Sequence, residues 1–200
     1  MCIPKHDFLN CLISVILLTF TCFLLSGCWT YICKDCAATF QNREEPVSVT
    51  VYPVNVVKGQ NIINDSELAR ELVSFLQREN LAYASLGTKT HAYDYQWGHN
   101  QAAMAKRSAQ AFKAQVKQDN IQTEYALLVE VLCNQSETLV MGVHYYLVNK
   151  EGLAADGGLN NSHWAEFQKV NPKNRNDGLR VAELMLKNNW KSFPGAQGGI

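Results

Sequence analysis

The sequence lacks a surplus of charge of either sign, because its 200 residues carry 18 lysines and arginines against 18 aspartates and glutamates. Proteins that bind a nucleic-acid backbone generally need excess positive charge to neutralise the phosphates. The chain is also poor in proline, with five residues, while 47% of its residues are hydrophobic. That composition predicts a folded protein, not a disordered one, and one that binds no nucleic acid.

Cysteine is nearly missing after residue 36: six of the seven cysteines come before that point or at it, and Cys133 is the one that follows. A small fold built on disulfides distributes its cysteines through the folded region. The folded region is therefore expected to depend on a hydrophobic core. Cys133 ends an apolar stretch and is expected to be buried there as a small hydrophobic residue.

The sequence also lacks the short motifs of common catalytic and nucleotide-binding sites, namely GxSxG, HExxH, the P-loop and GxGxxG. No serine or cysteine stands in a pattern that would supply it with a base. We therefore expect a non-catalytic protein with no cofactor and no metal ion.

The first 27 residues have the order of a secretory signal peptide. Lys5 supplies positive charge, residues 8–25 form an uncharged apolar run, and a Ser-Gly pair follows. The tetrad LSGC at 25–28 resembles the lipobox of bacterial lipoproteins in every position. The resemblance implies cleavage after Gly27 and acylation of Cys28, which attaches the protein to a lipid bilayer. An uncleaved membrane helix and a soluble secreted form are the alternatives.

Residue 29 is Trp rather than Asp. By analogy with the sorting of Gram-negative lipoproteins, this favours the periplasmic face of the outer membrane. The expected partners are the bilayer, reached through acylated Cys28, and an envelope protein.

Residues 28–46 show neither a sustained helical pattern nor an alternating one, and they predict a lipidated tether. A single domain is predicted over 47–192 and a frayed tail over 193–200. Within the tether, Cys33 and Cys36 form a CxxC that favours a local disulfide or free thiols. A zinc site would need two more ligands, and a thioredoxin-like site would need the CxxC to open a helix after a strand. Both remain alternatives.

The periodicity of the domain predicts the order β-α-β-α-β-β-β-α-α. Early alternation of strands and helices with later hairpins indicates an α/β fold, bordering on α+β, in which helices pack on a mixed sheet. The predicted strands cover 47–57 (with an edge position or bulge at Pro53), 81–86, 125–133, 137–148 and 153–159. The predicted helices begin after Asn64, at Asn100, at Ser162 and near Asn174 or Asn176.

Three segments in this order resemble small periplasmic lipoprotein domains of the TolB N-terminal, LpoB and CsgG-like type. They are VSVTVYPVNVV, SELARELVSFLQREN, and EYALLVEVLC followed by a hairpin with NKEG. The resemblance implies a scaffold that docks on envelope machines, activates peptidoglycan synthases or builds secretion pores. No motif matches position by position, so no functional residue carries over.

Histidines supply the alternative chemistry. His91 and His99 flank Asp94 and several aromatic residues in a predicted loop over 87–99, which is a candidate metal or ligand site. His163 and Glu166 are three residues apart on a predicted short helix and could face one ligand. These two sets support the alternative of a periplasmic metal-binding or ligand-binding protein or an enzyme. His144, in a strand, is expected to be a hydrogen-bonded structural residue.

One surface patch is predicted at the junction of the last strand and the following helix. Asn161, His163 and Trp164 lead into Phe167, and such a mixture suits docking of a partner or of a small polar ligand. The favoured interpretation is packing, in which Asn and Ser cap the helix while Trp164 and Phe167 lie beneath it.

Overall fold

The computed structural model describes residues 32–93 and 100–193, so the tetrad at 25–28 and His99 lie outside the described residues. The described part forms five helices and seven strands. The helices are α1 (Lys34–Gln41), α2 (Ser66–Arg78), α3 (Gln101–Asp119), α4 (Ala165–Val170) and α5 (Arg175–Asn189). The strands are β1 (Val47–Val51), β2 (Val54–Lys58), β3 (Asn61–Asp65), β4 (Ala82–Leu86), β5 (Tyr125–Cys133), β6 (Val140–Asn149) and β7 (Ala154–Asn160).

All seven strands belong to one mixed sheet with β5 at its centre. Two strands, β1 and β2, pair in parallel with the same edge of β5. Val49 of β1 lies opposite Tyr125, and Asn55 of β2 lies opposite Glu130. On the other edge lies β6, which is antiparallel to β5, and beyond it lies β7, which is antiparallel to β6. Strand β4 lies outside β1 and is parallel to it, and strand β3 lies outside β2 and is antiparallel to it. The predicted α/β class with a mixed sheet is confirmed.

The strand predicted over 47–57 is divided into β1 and β2 at Tyr52 and Pro53. Both pieces follow the same edge of β5, and the interruption falls at the proline, which has no N–H to donate to the sheet. Sequence analysis missed β3, because its five residues NIIND are mostly polar and form an exposed or half-buried hairpin arm.

Helices cover both faces of the sheet, which explains why every residue of β5 is buried. Alternate residues of β5 belong to different clusters: Leu127, Val129 and Val131 pack with α2 and α5, whereas Ala126 and Leu128 pack with α3. The continuous apolar pattern in the sequence thus reflects two separate layers of core.

Two of the four predicted helix starts are confirmed as they were predicted. Asn100 caps α3 through Ala103 N–H, and Asn174 caps α5 through Asp177 N–H. The cap of α2 is Asp65, not the predicted Asn64, because the Asp65 carboxylate accepts from the N–H groups of Glu67 and Leu68. At the third junction Ser162 is not the cap, since α4 begins at Ala165 without a side-chain cap.

The tether expected over 28–46 is wrong from residue 34 onward. Residues 34–41 form α1, whose Phe40 is fully buried and meets Tyr125 and Trp190 edge to face at ring-centroid distances of 5.5 and 5.1 Å. Arg43 is buried as well and donates to Phe40 O at 2.6 Å. The folded region therefore begins before Val47. The short helix gave little periodic signal, since Phe40 is its one buried residue.

The predicted end of the domain shifts by one residue. Phe193, placed at the start of the frayed tail, is buried, and its N–H donates to Asn80 O at 3.2 Å. Residues 194–200 lie outside the described residues. Within 32–93 and 100–193, no helix has the length and apolar character needed to cross a membrane.

Candidate functional site

A groove of about 540 Å³ lies where β6 extends beyond the end of β7. The last pair between these strands is Val143 with Asn160. Within the described part of the chain, Val140 and Gly142 are paired only with β5, and the register of that pairing shifts at Met141. The walls come from the start of β6, from α4 and from the turn after it. They are lined by Leu139, Val140, Met141, Ser162, Phe167, Gln168, Asn171, Pro172 and Lys173.

One large apolar side chain in the lining of this groove is exposed, and a second exposed one directly precedes the helix α4 that forms a wall. Leu139 lines it and is 49% exposed, while Trp164, between the lining residues Ser162 and Phe167 in sequence, is 48% exposed. Exposed apolar side chains at a concave surface are typical of binding sites, because covering them releases water.

The wall formed by α4 is held in place by its own hydrogen bonds. Asn171 ends the helix in a left-handed conformation, with φ 49°, and its N–H donates to Phe167 O at 2.8 Å. The two carboxylate oxygens of Glu166 accept from Asn160 and Asn188, both at 2.9 Å. The Glu166 backbone N–H and the Asn160 amide lower the pKa of Glu166.

Of the predicted patch, only part remains available for binding. Asn161 is engaged within the protein, since its Nδ2 donates to Gln101 Oε1 at 2.7 Å and its Oδ1 accepts from His163 N at 3.1 Å. Phe167 is buried, as expected. The packing predicted for Trp164 is wrong, because this side chain is half exposed.

The predicted pairing of His163 with Glu166 does not form. His163 is exposed, and no hydrogen bond or ion pair joins the two side chains among the described residues. Glu166 is directed to its two asparagine partners instead, so it stabilises the fold around the groove.

His91 lies in the core and not on an open loop. It is 1% exposed, its Nδ1 lies 2.7 Å from Gln115 Oε1, and its ring stacks on Tyr93 at a centroid distance of 5.3 Å. The other predicted member of this site, His99, lies outside the described residues, as does Asp94. Within 32–93 and 100–193, no three His, Cys, Asp or Glu side chains are grouped to hold a metal ion.

Cys33 and Cys36 form a disulfide at the start of α1. Cys33 is the N-cap of that helix, and its Sγ accepts from Cys36 N at 3.3 Å. The CxxC therefore opens a helix, which the sequence did not predict. Cys133 is the free, buried cysteine expected from the sequence, and burial raises the pKa of its thiol to about 11.

A buried polar network beneath α3 was missed by sequence reasoning. Glu130, fully buried on β5, accepts from Ser108 Oγ at 2.8 Å and from Tyr146 Oη at 3.0 Å. His144, directly opposite on β6, places Nδ1 3.5 Å from Glu130 Oε2 and 3.1 Å from Tyr146 Oη. Asn55 approaches Glu130 from β2 at 3.4 Å. The available signal was one acidic residue in an otherwise apolar strand.

Electrostatics explain how Glu130 is retained in the core. Burial by itself raises the pKa of this carboxyl, but hydrogen bonds and charge from His144, together with Ser108 and Tyr146, lower it below its ordinary value. The expectation that His144 is a hydrogen-bonded structural residue is confirmed. All members of the network lie under α3, so its chemistry is internal packing and not binding.

A second groove of about 280 Å³ lies near the carboxyl ends of β1 and β4. Asp119 in its wall accepts from Tyr52 Oη at 2.6 Å and from Lys89 Nζ at 3.1 Å. Burial by itself raises the pKa of Asp119, and these two donors with Gln115 lower it overall. Burial and the Asp119 hydrogen bond raise the pKa of Tyr52. Because these groups satisfy one another, this groove offers less to a ligand than the apolar groove at β6.

A scan against protein-family models and a search of curated proteins returned no match to this chain.

Proposed function

We propose that this chain is a bacterial lipoprotein, held by acylated Cys28 on the periplasm-facing side of the outer membrane. Its folded region is a non-catalytic module that binds an envelope protein. The tetrad at 25–28 behind an uncharged apolar run supports the anchor. The disulfide between Cys33 and Cys36 is consistent with an oxidising compartment outside the cytoplasm.

The groove beside β6 carries the binding role. It combines an apolar floor with one half-exposed apolar residue in its lining, Leu139, and the half-exposed Trp164 precedes the helix α4 that forms one of its walls. The surrounding polar side chains, including Ser162 and Gln168, provide a rim of hydrogen-bonding groups.

The open edge of β6 indicates the conformation of the partner segment. Val140 to Gly142 can accept another strand on the side that β7 leaves free. An extended segment with apolar side chains would pair with this edge through its main chain and place those side chains in the groove. The acyl chains would hold the module on the membrane and so raise its effective concentration for a partner in the same layer.

Labelling with radioactive palmitate tests the anchor. The wild-type chain should be labelled, Cys28→Ser should not be, and Cys22→Ser, which changes a cysteine inside the apolar run, should be labelled like the wild type. An unlabelled wild-type chain would remove the anchor from the proposal.

Photo-crosslinking in cells tests the groove. A photoreactive phenylalanine at Trp164 should capture one defined envelope protein, whereas the same residue at Tyr83 should not. Tyr83 is the matched control because it is aromatic, 60% exposed and on β4, away from the groove. Capture from Trp164 should disappear with Leu139→Asp. Equal capture from both positions, or capture unaffected by Leu139→Asp, would contradict the assignment of the groove.

A further inference from the structure

We propose that the end of the domain formed by the start of α1 and the β6–β7 turn lies against the bilayer, and that the groove faces away from it. This inference rests on the proposed acylation of Cys28. It concerns which surface the membrane covers, and the covering partner is a lipid surface.

Cys33 is a fixed point of the folded domain. Its N–H donates to Ala154 O at 2.9 Å, which attaches it to the start of β7. The disulfide to Cys36 and the burial of Phe40 hold the helix that follows. Whatever precedes Cys33 therefore leaves the domain at one defined place.

The distance from that point to the lipid is short. Four residues separate Cys28 from Cys33. Five Cα–Cα steps span at most about 18 Å when the chain is fully extended. The tether expected from the sequence reached to Pro46 and would have left the domain free to turn. The observed start of the fold confines the Ala154 end to the neighbourhood of the membrane.

The surface around Cys33 suits a lipid headgroup layer. Leu153, next to Ala154, is 42% exposed, although it is apolar. Exposed lysines accompany it: Lys34 follows Cys33, Lys150 lies in the β6–β7 turn, and Lys117 packs against Gly152 of that turn. Asp35 and Glu151 are the exposed acidic residues of the same segments. The exposed Glu124, whose backbone O accepts from Lys150 N at 3.1 Å, brings the acidic side chains to the same number as the lysines, so the patch is an exposed apolar residue among balanced charges. Such a mixture suits the headgroup layer of a bilayer, where apolar and charged groups both find partners.

The residues that connect Cys28 to Cys33 also suit the membrane–water interface. The sequence between the two cysteines is Trp29, Thr30, Tyr31 and Ile32. Trp and Tyr are enriched where a protein chain meets the membrane–water interface, because each combines an apolar ring with a polar group.

The groove lies at the other end of β6. That strand begins at Val140, beside the groove, and ends at Asn149, before the turn that carries Leu153. Ten residues of extended strand cover about 30 Å. A bilayer against the turn therefore leaves the groove open towards the periplasm, where an envelope protein can reach it.

Depth-dependent quenching tests this orientation. The lipidated full chain is reconstituted in vesicles of phosphatidylethanolamine and phosphatidylglycerol with headgroup spin-labelled lipid, and carries a fluorophore at Glu151→Cys or at Ser136→Cys. Both positions are exposed and lie in turns, one at each end of β6. We expect at least about a threefold stronger quenching at position 151 than at 136. Equal quenching, or stronger quenching at 136, would overturn the orientation.

Vesicle flotation separates the two proposals. Chains that fail to float with the vesicles contradict the anchor at Cys28, whereas chains that float without preferential quenching at 151 contradict only the orientation. A ten-residue Gly-Ser insertion between Thr30 and Tyr31 should preserve flotation and reduce quenching at 151 towards the value at 136. If this longer tether left the difference unchanged, tether length would not be the cause of the orientation.

Discussion

Glu130 and His144 stand opposite each other on β5 and β6, with Glu130 Oε2 3.5 Å from His144 Nδ1 and both side chains fully buried. The pair is placed at the centre of the sheet under α3. Its hydrogen bonds to Ser108 and Tyr146 link the helix to the sheet, so the network determines how α3 sits on that face.

Glu130→Ala should destabilise the protein by about 3–5 kcal/mol, because it removes the carboxylate that accepts from the buried Ser108 hydroxyl and lies beside the buried His144. Urea unfolding of the purified domain measures this change. Glu151→Ala, in an exposed turn, is the control and should change the free energy of unfolding by less than about 0.5 kcal/mol. Similar losses in both variants would contradict a stabilising role for the network.

The same carboxyl predicts a pH dependence. Because the folded state lowers the pKa of Glu130, its contribution is complete above the unfolded pKa of about 4.3 and is lost as pH falls through the lower folded value. The difference in unfolding free energy between the wild type and Glu130→Gln should therefore shrink as pH falls below about 4.3. Chemical denaturation at pH 5 and pH 3 measures it, and an equal difference at both pH values would contradict the lowered pKa.

Trp164 and Phe167 provide a matched aromatic pair with opposite exposures. Phe167→Ala should cost about 3–5 kcal/mol, because it removes a side chain that is 7% exposed from the core. Trp164→Ala should change the stability by less than about 0.5 kcal/mol and abolish partner binding at the groove. Thermal unfolding measures the change in stability, and a pull-down of the crosslinked envelope protein measures the change in binding. A large loss of stability in Trp164→Ala would show that Trp164 packs in the fold.

Replacing both Cys33 and Cys36 with serine tests the disulfide. The closed loop contains four residues, and the chain-entropy model predicts a loss of about 2 kcal/mol. Guanidinium unfolding of the wild type and the double variant, each without reductant, measures it. If envelope phenotypes changed in the double variant while stability did not, the pair would have a redox function instead of a structural one.

Individual elements show which patterns were readable. The buried strand at 125–133 and the helix starts at Asn100 and near Asn174 were predicted from the sequence and are confirmed, because strand burial and helix initiation leave a pattern in neighbouring residues. The helix α1 was missed, since its stability comes from Phe40 packing on Tyr125 and Trp190, which are distant in sequence. His91 lies in the predicted loop, but its burial was missed for the same reason, since its contact with Gln115 crosses 24 positions.

The local signals were readable from the sequence alone: the resemblance to a lipobox at 25–28, the alternation of strands and helices, and the α/β class. The long-range contacts came from the folded chain: Glu130 lies opposite His144, Trp164 is exposed while Phe167 is buried, and the fold begins close to Cys33. Local patterns set the periodicity and the caps of each element. Burial, charge pairing and the path of the chain depend on which elements meet, and those contacts join residues far apart in sequence.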